Sequence, residues 1–385
     1  MGLGVRMGEK DIFWIAGENS GDLHASMVIK ELNRRGLRMN HFGIGGQRME
    51  REGFTPLFPF KRFNVMGFWE VLQHLKFFFH VEKQIRQRFL TFKPDLAVLV
   101  DYPGFNLRIA QMAYDLDIPV LYFICPQFWA WKRGRVNKLR ENTNMVATIL
   151  PFESELLDIH RVNSHYVGHP IAEEIINLVD KETFAKTFSL DLNKRWLGFM
   201  PGSRENEVKK MLPPMIKAIE KFDESEFEFL VSKAHTISYE RFNSLIPKKL
   251  KQRIKIVDGY VYEMMKYANF MVVTSGTATL ETAFIGTPHI IVYKTSQISY
   301  LIAKKLVKIG RIGLPNIILE QNLLPELIQK EVNGENIYKK VNYYLEHQDE
   351  FSRLANELKK VKDLLSEKTT SVEMSDLIIK MLNDK

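Results

Sequence analysis

Short apolar runs alternate along the chain with longer segments whose apolar positions recur at helical spacing. In the first half the runs at 11–16, 41–44, 96–100, 120–124, 145–149 and 164–167 predict strands. The segments 23–35, 68–88, 105–116 and 152–160 predict helices between them. Such alternation implies parallel strands covered by helices on both faces. The pattern pauses at Gly168-His169-Pro170 and resumes near Trp196, with strands expected at 196–200, 227–231, 254–257, 270–273 and 290–292. Two doubly wound α/β domains follow: 1–170 and 171–345, then a charged helical tail, 346–385. The tail carries Leu354, Leu358, Val361, Leu364 and Leu365 at helical spacing, so it is expected to pack on a domain or on a partner subunit. A homodimer therefore stays open.

Composition narrows the class. With 385 residues, 45% hydrophobic and 26% charged, the chain suits a soluble globular protein of more than one domain. The single Cys125 leaves no internal disulfide framework and reads as a small buried apolar residue. The first residues show no signal-peptide pattern, and no run reaches the ~18 apolar residues of a spanning helix. A cytoplasmic protein with at most peripheral contact with the inner membrane is expected. The net charge of +8 suits an anionic partner, a phosphorylated substrate or acidic lipid headgroups, or else a merely solvated basic surface. Nucleic acid is disfavoured, since no basic tract interleaved with aromatics occurs. Asp115-Leu116-Asp117 sits just before Ile118-Pro119 and reads as a solvated turn, and no two histidines share H-x-x-x-H spacing. No metal and no cofactor are expected.

Ligands of open α/β sheets gather at the carboxyl ends of the strands, so the strand-to-helix turns are the candidate sites. In the second half, Thr274-Ser275-Gly276-Thr277-Ala278-Thr279-Leu280-Glu281 offers small residues, hydroxyls and free N–H groups to an anion, with Glu281 one helical turn further on to accept from ribose hydroxyls. An ordinary Ser/Thr-rich helix cap is the competing reading. Pro201-Gly202-Ser203-Arg204 places a guanidinium where it would clamp a diphosphate, unless it is a plain surface arginine. Gly313-Leu314-Pro315-Asn316 adds an amide. In the first half, Asp101-Tyr102-Pro103-Gly104-Phe105-Asn106 sets an aspartate at a strand's end, suited to a general base or to capping the next helix.

The turn Gly17-Glu18-Asn19-Ser20-Gly21-Asp22 has the glycines of a phosphate cradle but two carboxylates that would repel a phosphate. It is read as a surface for hydroxyl groups in place of phosphate, with Glu18, Ser20, Asp22 and Asn106 as its candidates and Glu18 and Asp22 accepting hydrogen bonds or orienting Asp101. Large apolar residues crowd 65–79: Met66, Phe68, Trp69, Leu72, Phe77, Phe78 and Phe79 exceed what one core-facing stripe needs. An exposed patch for acyl chains or a bilayer surface is expected, with core packing as the alternative. Trp129 and Trp131, ahead of Lys132-Arg133, suggest a cleft wall.

Ten stretches, taken in order, resemble the lipid-A-disaccharide synthase family: AGENSGD from Ala16, GIGG from Gly43, VMGFWEVL from Val65, PDLAVLVDYPGFN from Pro94, PQFWAWKR from Pro126, LPFE from Leu150, VGHP from Val167, PGSRENEV from Pro201, SGTATLE from Ser275 and LPN from Leu314. The resemblance implies the GT-B fold, two Rossmann-like doubly wound parallel-sheet domains facing across a cleft. It also implies a metal-independent inverting glycosyl transfer. UDP-2,3-diacylglucosamine would be joined to 2,3-diacylglucosamine 1-phosphate, giving a β-1,6 disaccharide 1-phosphate and UDP. By that resemblance Asp101 is the catalytic base, and Arg204, Ser275, Gly276, Thr277, Thr279, Glu281 and Asn316 belong to UDP-facing motifs. Gly104 departs from the family pattern, which carries a second Asp there, and leaves Asp101 the sole carboxylate of its turn. Another UDP-sugar enzyme of the same fold, a UDP-N-acetylglucosamine 2-epimerase or a peptidoglycan glycosyltransferase, is the alternative; a non-catalytic binding module is a third.

Overall fold

A strand buried on both faces has no polar face to show, and β1 (Lys10–Ala16) and the later strand Leu96–Val100 have almost none. The computed structural model describes residues 10–63, 75–129, 134–234, 236–295 and 311–384. They form two units: the chain up to Glu173 together with Glu367 onward, and Glu174–Ser366.

In the first unit β1 is joined by β2 (Met39–Ile44), β3 (Thr55–Pro56), β4 (Leu96–Val100), β5 (Val120–Phe123), β6 (Met145–Thr148) and β7 (Ser164–Tyr166). The seven strands lie in the order β3-β2-β1-β4-β5-β6-β7, every pair parallel. Alternate residues of β1 serve opposite cores. Phe13 and Ile15 meet Phe78, Val81, Ile85 and Phe89 of the helix Leu75–Thr91. Ile12, Trp14 and Ala16 meet Ala25, Val28, Ile29 and Leu32 of the helix Asn19–Arg34. The same second core receives Met374, Leu377, Ile378 and Leu382 of the helix Thr370–Asn383, so the end of the chain returns to the first sheet. Arg35 and Asp376 pair at the rim of that contact. Gly168 takes φ +83°, and a Cβ there would lie 2.6 Å from the Lys368 carbonyl, so the outgoing and returning strands of chain touch only because this residue is glycine.

The second unit repeats the plan with β8 (Arg195–Met200), β9 (Phe227–Ser232), β10 (Ile254–Val257), β11 (Phe270–Thr274), β12 (His289–Tyr293) and β13 (Glu326–Ile328). Its six strands run β10-β9-β8-β11-β12-β13, again all parallel. The tail helix Gln348–Leu365 buries Leu354, Leu358, Val361 and Leu365 and packs on the helix Thr277–Ile285. β3 and β13 escape the hydrophobic pattern because they are edge pieces of two and three residues, with Thr55 and Pro56 exposed.

The expected aromatic patch needs correction at Phe78. Residues 78, 81, 85 and 89 share one helix face, and that face is turned onto the sheet, so Phe78 is core at 6% exposure. Phe77 is half-buried against Phe63, and Phe79 stands out at 58% exposure. Met66, Phe68, Trp69, Leu72, Trp131, Lys132 and Arg133 lie outside the described residues. Among the described residues no helix is long and apolar enough to cross a membrane.

Because Ile378 is fully buried against the first sheet, Ile378→Ala should cost about 2–5 kcal/mol of unfolding free energy. Chemical denaturation followed by circular dichroism checks this; a loss under about 0.5 kcal/mol, the ordinary surface value, would mean the terminal helix is not docked in solution.

Candidate active site

Each sheet reverses its strand order once, between β1 and β4 and between β8 and β11. At such a point the crossovers leave for opposite faces and a crevice opens at the carboxyl edge. The register pairs Ala16 with Val100, so the turns after β1 and β4 stand side by side. A Cβ on Gly17 would sit 3.0 Å from the Tyr102 ring, which shows the two turns in contact. Glu18, Ser20 and Asp101 therefore share one edge. In the second sheet Thr274 Oγ1 donates to the Met200 carbonyl at 2.8 Å and ties β11 to β8. The turns that carry Arg204 and Ser275-Gly276-Thr277 thus leave adjacent strands at the same sheet edge.

Asp101 and Tyr102 both adopt left-handed backbone, φ 45° and 49°, at about 1–2 kcal/mol each. Several bonds fix this turn. The Asp101 N–H donates to Phe123 at 2.8 Å. Its carbonyl accepts from Tyr122 Oη at 2.7 Å and from Asn106 Nδ2 at 2.8 Å, and the same amide also donates to Val100 at 3.1 Å. Tyr102 Oη donates to the Phe63 carbonyl. Asn106 is fully buried, so it holds the turn from beneath and does not face a ligand. Asp101 as a residue is half-buried. Burial pushes its carboxyl above the usual carboxylate range, against the opposing pull of the Tyr102 N–H, His24 and Arg135.

Asp22 also departs from expectation. It is 4% exposed, and its carboxylate accepts N–H bonds from Gly46 (2.7 Å), Met49 (3.2 Å) and Arg48 (3.2 Å). It closes the start of the helix Gln47–Arg51, and its oxygens are engaged by backbone. Glu18 is half-buried and Ser20 exposed, on the open side of the same turn.

Residues absent from the sequence reading surround Asp101. Glu153 is 1% exposed, accepts from Trp129 Nε1 at 3.2 Å and from the Leu150 N–H at 3.3 Å, and burial raises its carboxyl to about 7. The LPFE spacing, a carboxylate three residues into a helix, is the signal that was available for it. Tyr122, Arg135 and His24 carried none.

At the second edge, Glu207 accepts from the N–H groups of Ser203 (3.1 Å) and Arg204 (3.3 Å). Gly202 at φ +114° lets that carboxylate close in. The Arg204 head is left 68% exposed, with Glu207 3.8 Å away. Gly276 and Thr277 are exposed and Ser275 half-buried at the start of the helix Thr277–Ile285. Thr279 and Asn316 prove different. Thr279 is fully buried and its hydroxyl donates to Gly276 at 2.7 Å. Asn316 is 1% exposed; its amide donates to the Leu324 carbonyl and to Glu326, both at 2.8 Å, and accepts from the Leu324 N–H. Both brace the turns and leave no free donor. Glu281 touches Tyr262 Oη at 3.3 Å, and burial, then the charge of Glu174, raise its carboxyl to about 7. Among the described residues no group of three or more His, Cys, Asp or Glu converges as a metal cluster would.

A family model described as lipid-A-disaccharide synthetase matches residues 12–380. The chain belongs to the lipid-A-disaccharide synthase family. It is 34% identical to the lipid-A-disaccharide synthase of Syntrophus aciditrophicus, over 93% of this chain and 94% of that one. To the synthase of Nitrosococcus oceani it is 36% identical over 84% of each chain. It is thus a glycosyltransferase of lipid A biosynthesis. Two solved structures share the fold: the UDP-GlcNAc 2-epimerase of Neisseria meningitidis bound to UDP-GlcNAc (TM-score 0.64, 11% identity, 98% and 100% of the two chains) and the calicheamicin glycosyltransferase CalG4 (TM-score 0.62, 12% identity, 98% and 99%). These two likenesses carry the GT-B architecture; the synthase family carries the activity.

For this member of the synthase family, a Cβ built at Gly104 meets nothing within 4 Å. Gly104→Asp should therefore fold with stability unchanged within about 0.5 kcal/mol. Asn106→Ala leaves the Asp101 carbonyl short of a donor and should cost about 1–3 kcal/mol. Thermal unfolding of the two variants checks both; equal losses would mean the turn does not depend on Asn106.

Proposed function

We propose that the chain transfers 2,3-diacylglucosamine from its UDP carrier to the 6-hydroxyl of 2,3-diacylglucosamine 1-phosphate. The acceptor oxygen attacks the anomeric carbon, the bond from that carbon to the diphosphate breaks, and the hydroxyl proton passes to the Asp101 carboxylate. UDP leaves, and the configuration inverts to the β-1,6 linkage. One observation carries this reading: a half-buried aspartate whose carboxyl is raised by burial, held in a left-handed turn at the switch point of the first sheet. A general base works best when its pKa lies near the operating pH, and desolvation moves Asp101 in that direction.

Glu18 and Ser20, beside Asp101, hold the acceptor's hydroxyls in this scheme. At the second edge Arg204, Ser275, Gly276 and Thr277 take the diphosphate without a metal, where the N–H groups opening a helix stabilise the charge that develops on departure. Glu281 accepts from the ribose hydroxyls. Asp22, Asn106, Thr279 and Asn316 act as positioning residues for those groups.

Both substrates carry acyl chains and sit in a membrane leaflet, and the helix Leu75–Thr91 offers a matching surface. Lys76, Phe79, Lys83, Arg86 and Leu90 are exposed and recur on one stripe of it, with Phe79 58% and Leu90 53% exposed. Large apolar groups between cations suit an anionic inner-membrane surface.

Incubation with both acylated substrates in detergent should yield disaccharide phosphate and UDP; folded protein that forms neither overturns the reading. Asp101→Asn should lower kcat by about 10²–10⁴-fold with UDP binding retained. Because only the ionised carboxylate accepts a proton, kcat/KM should rise with pH through a pKa above the ordinary carboxylate range. That limb should vanish in Asp101→Asn.

For docking, the Phe79→Asp, Lys83→Glu pair should weaken binding to phosphatidylglycerol-containing vesicles with the unfolding temperature unchanged. Undiminished co-sedimentation would place the membrane contact elsewhere.

A further inference from the structure

The Tyr262 hydroxyl lies 3.2 Å from Glu174 Oε2 and 3.3 Å from Glu281 Oε1. A phenol has one proton to donate and an ionised carboxylate has none. With both carboxylates charged, only one of these two contacts is a hydrogen bond, and the other sets oxygen against oxygen. One additional proton resolves the conflict. Tyr262 then donates to the ionised carboxylate, and the protonated one donates to the Tyr262 oxygen.

We propose that Glu174, Tyr262 and Glu281 hold one shared proton in the empty site, and that a nucleotide's ribose expels it on binding. The inference rests on the reading that Glu281 receives the ribose hydroxyls. Two ribose donors need the ionised form of Glu281. The shared proton then goes to the buffer, while Tyr262 turns to Glu174. Only the carboxyl O–H bond is broken, its proton passing to a buffer base. Glu174 and Tyr262 become positioning residues that set the pH at which the nucleotide site is ready.

The neighbouring groups agree with this picture. Burial, then the charge of Glu174, raise Glu281 to about 7, with Tyr262 pulling the other way. Burial and the two carboxylates push the Tyr262 phenol upward, so it stays a donor. Glu263, on the same helix as Tyr262, accepts instead from the Val179 N–H. His289 of β12 is fully buried and burial lowers it to about 4, so it is neutral. The helix Gln348–Leu365 turns Leu354, Leu358, Val361 and Leu365 inward.

Calorimetric titration of UDP into the full chain, at pH 6.5 in two buffers of different ionisation heat, counts the protons exchanged. Wild type should release on the order of one proton more per UDP than Glu174→Gln, since the phosphate's own titration is common to both and cancels. Below pH 7 the wild-type Kd should weaken by up to about tenfold per pH unit relative to the variant's, the phosphate's own titration again being common to both. Equal proton counts in the two proteins overturn the shared proton while leaving the nucleotide site intact. No UDP binding at pH 8 overturns the nucleotide site itself, and this inference with it. Should Glu174→Gln fail to fold, infrared difference spectra of wild type at pH 6.5 decide: the carbonyl band of a protonated carboxyl should disappear on adding UDP, and its absence beforehand sinks the proposal.

Discussion

Parallel strands can be joined only by a crossover, so every strand in a parallel sheet delivers its chain to the same edge. That constraint organises this protein twice. All the strand pairs are parallel, and in each sheet the order reverses at one place. The turns after β1 and β4, and those after β8 and β11, are therefore forced together, although the residues they bring side by side lie far apart in the chain. Tyr102, next to Asp101, meets the glycine turn at residue 17, and the turns of Arg204 and Ser275 leave adjacent strands, for the same topological reason.

The two edges answer to different chemistry. The first presents Glu18 and Asp101, and the second presents Arg204 and the opening of a helix. A carboxylate edge repels a phosphate and accepts from hydroxyls; a cation beside free N–H groups does the reverse. The separation is built by intermediaries. Asp22, itself acidic, is neutralised as an actor by three backbone N–H groups, and Glu207 is taken up by two.

Much of this was legible in the chain. Strands buried on both faces leave continuous apolar runs, and nearly every such run is a strand within a residue or two of its expected ends. The turns after them are where ligands of such sheets gather, so Asp101, Glu18, Arg204 and Ser275 could be chosen as candidates by position. What sequence could not show is which polar side chains are turned inward. Asp22 meets an amide at Gly46, Asn316 closes on Leu324, and Phe78 faces the sheet while Phe79 faces out. Those outcomes depend on partners brought by the fold. Edge strands β3 and β13 were missed for a related reason, since pairing with a neighbour, and not hydrophobicity, makes them strands.

Partial desolvation links the fold to its reactivity. Asp101, Glu153 and Glu281 are all raised above the ordinary carboxylate range, and in each burial is the first cause. Taking a carboxylate out of water costs stability unless it is matched by donors, and a chain selected for stability alone would give these groups cations. Glu31 shows the contrast: away from the strand ends, side-chain bonds from Arg34 and Arg35 hold its carboxyl down to about 2. Burial also raises Glu82 on the helix Leu75–Thr91, but Asp101 and Glu281 stand at the carboxyl edges, where the proposed substrates would bring hydroxyl donors. The left-handed strain at Asp101 belongs to the same arrangement. Tyr122 and Asn106 satisfy its backbone carbonyl and hold the turn in place.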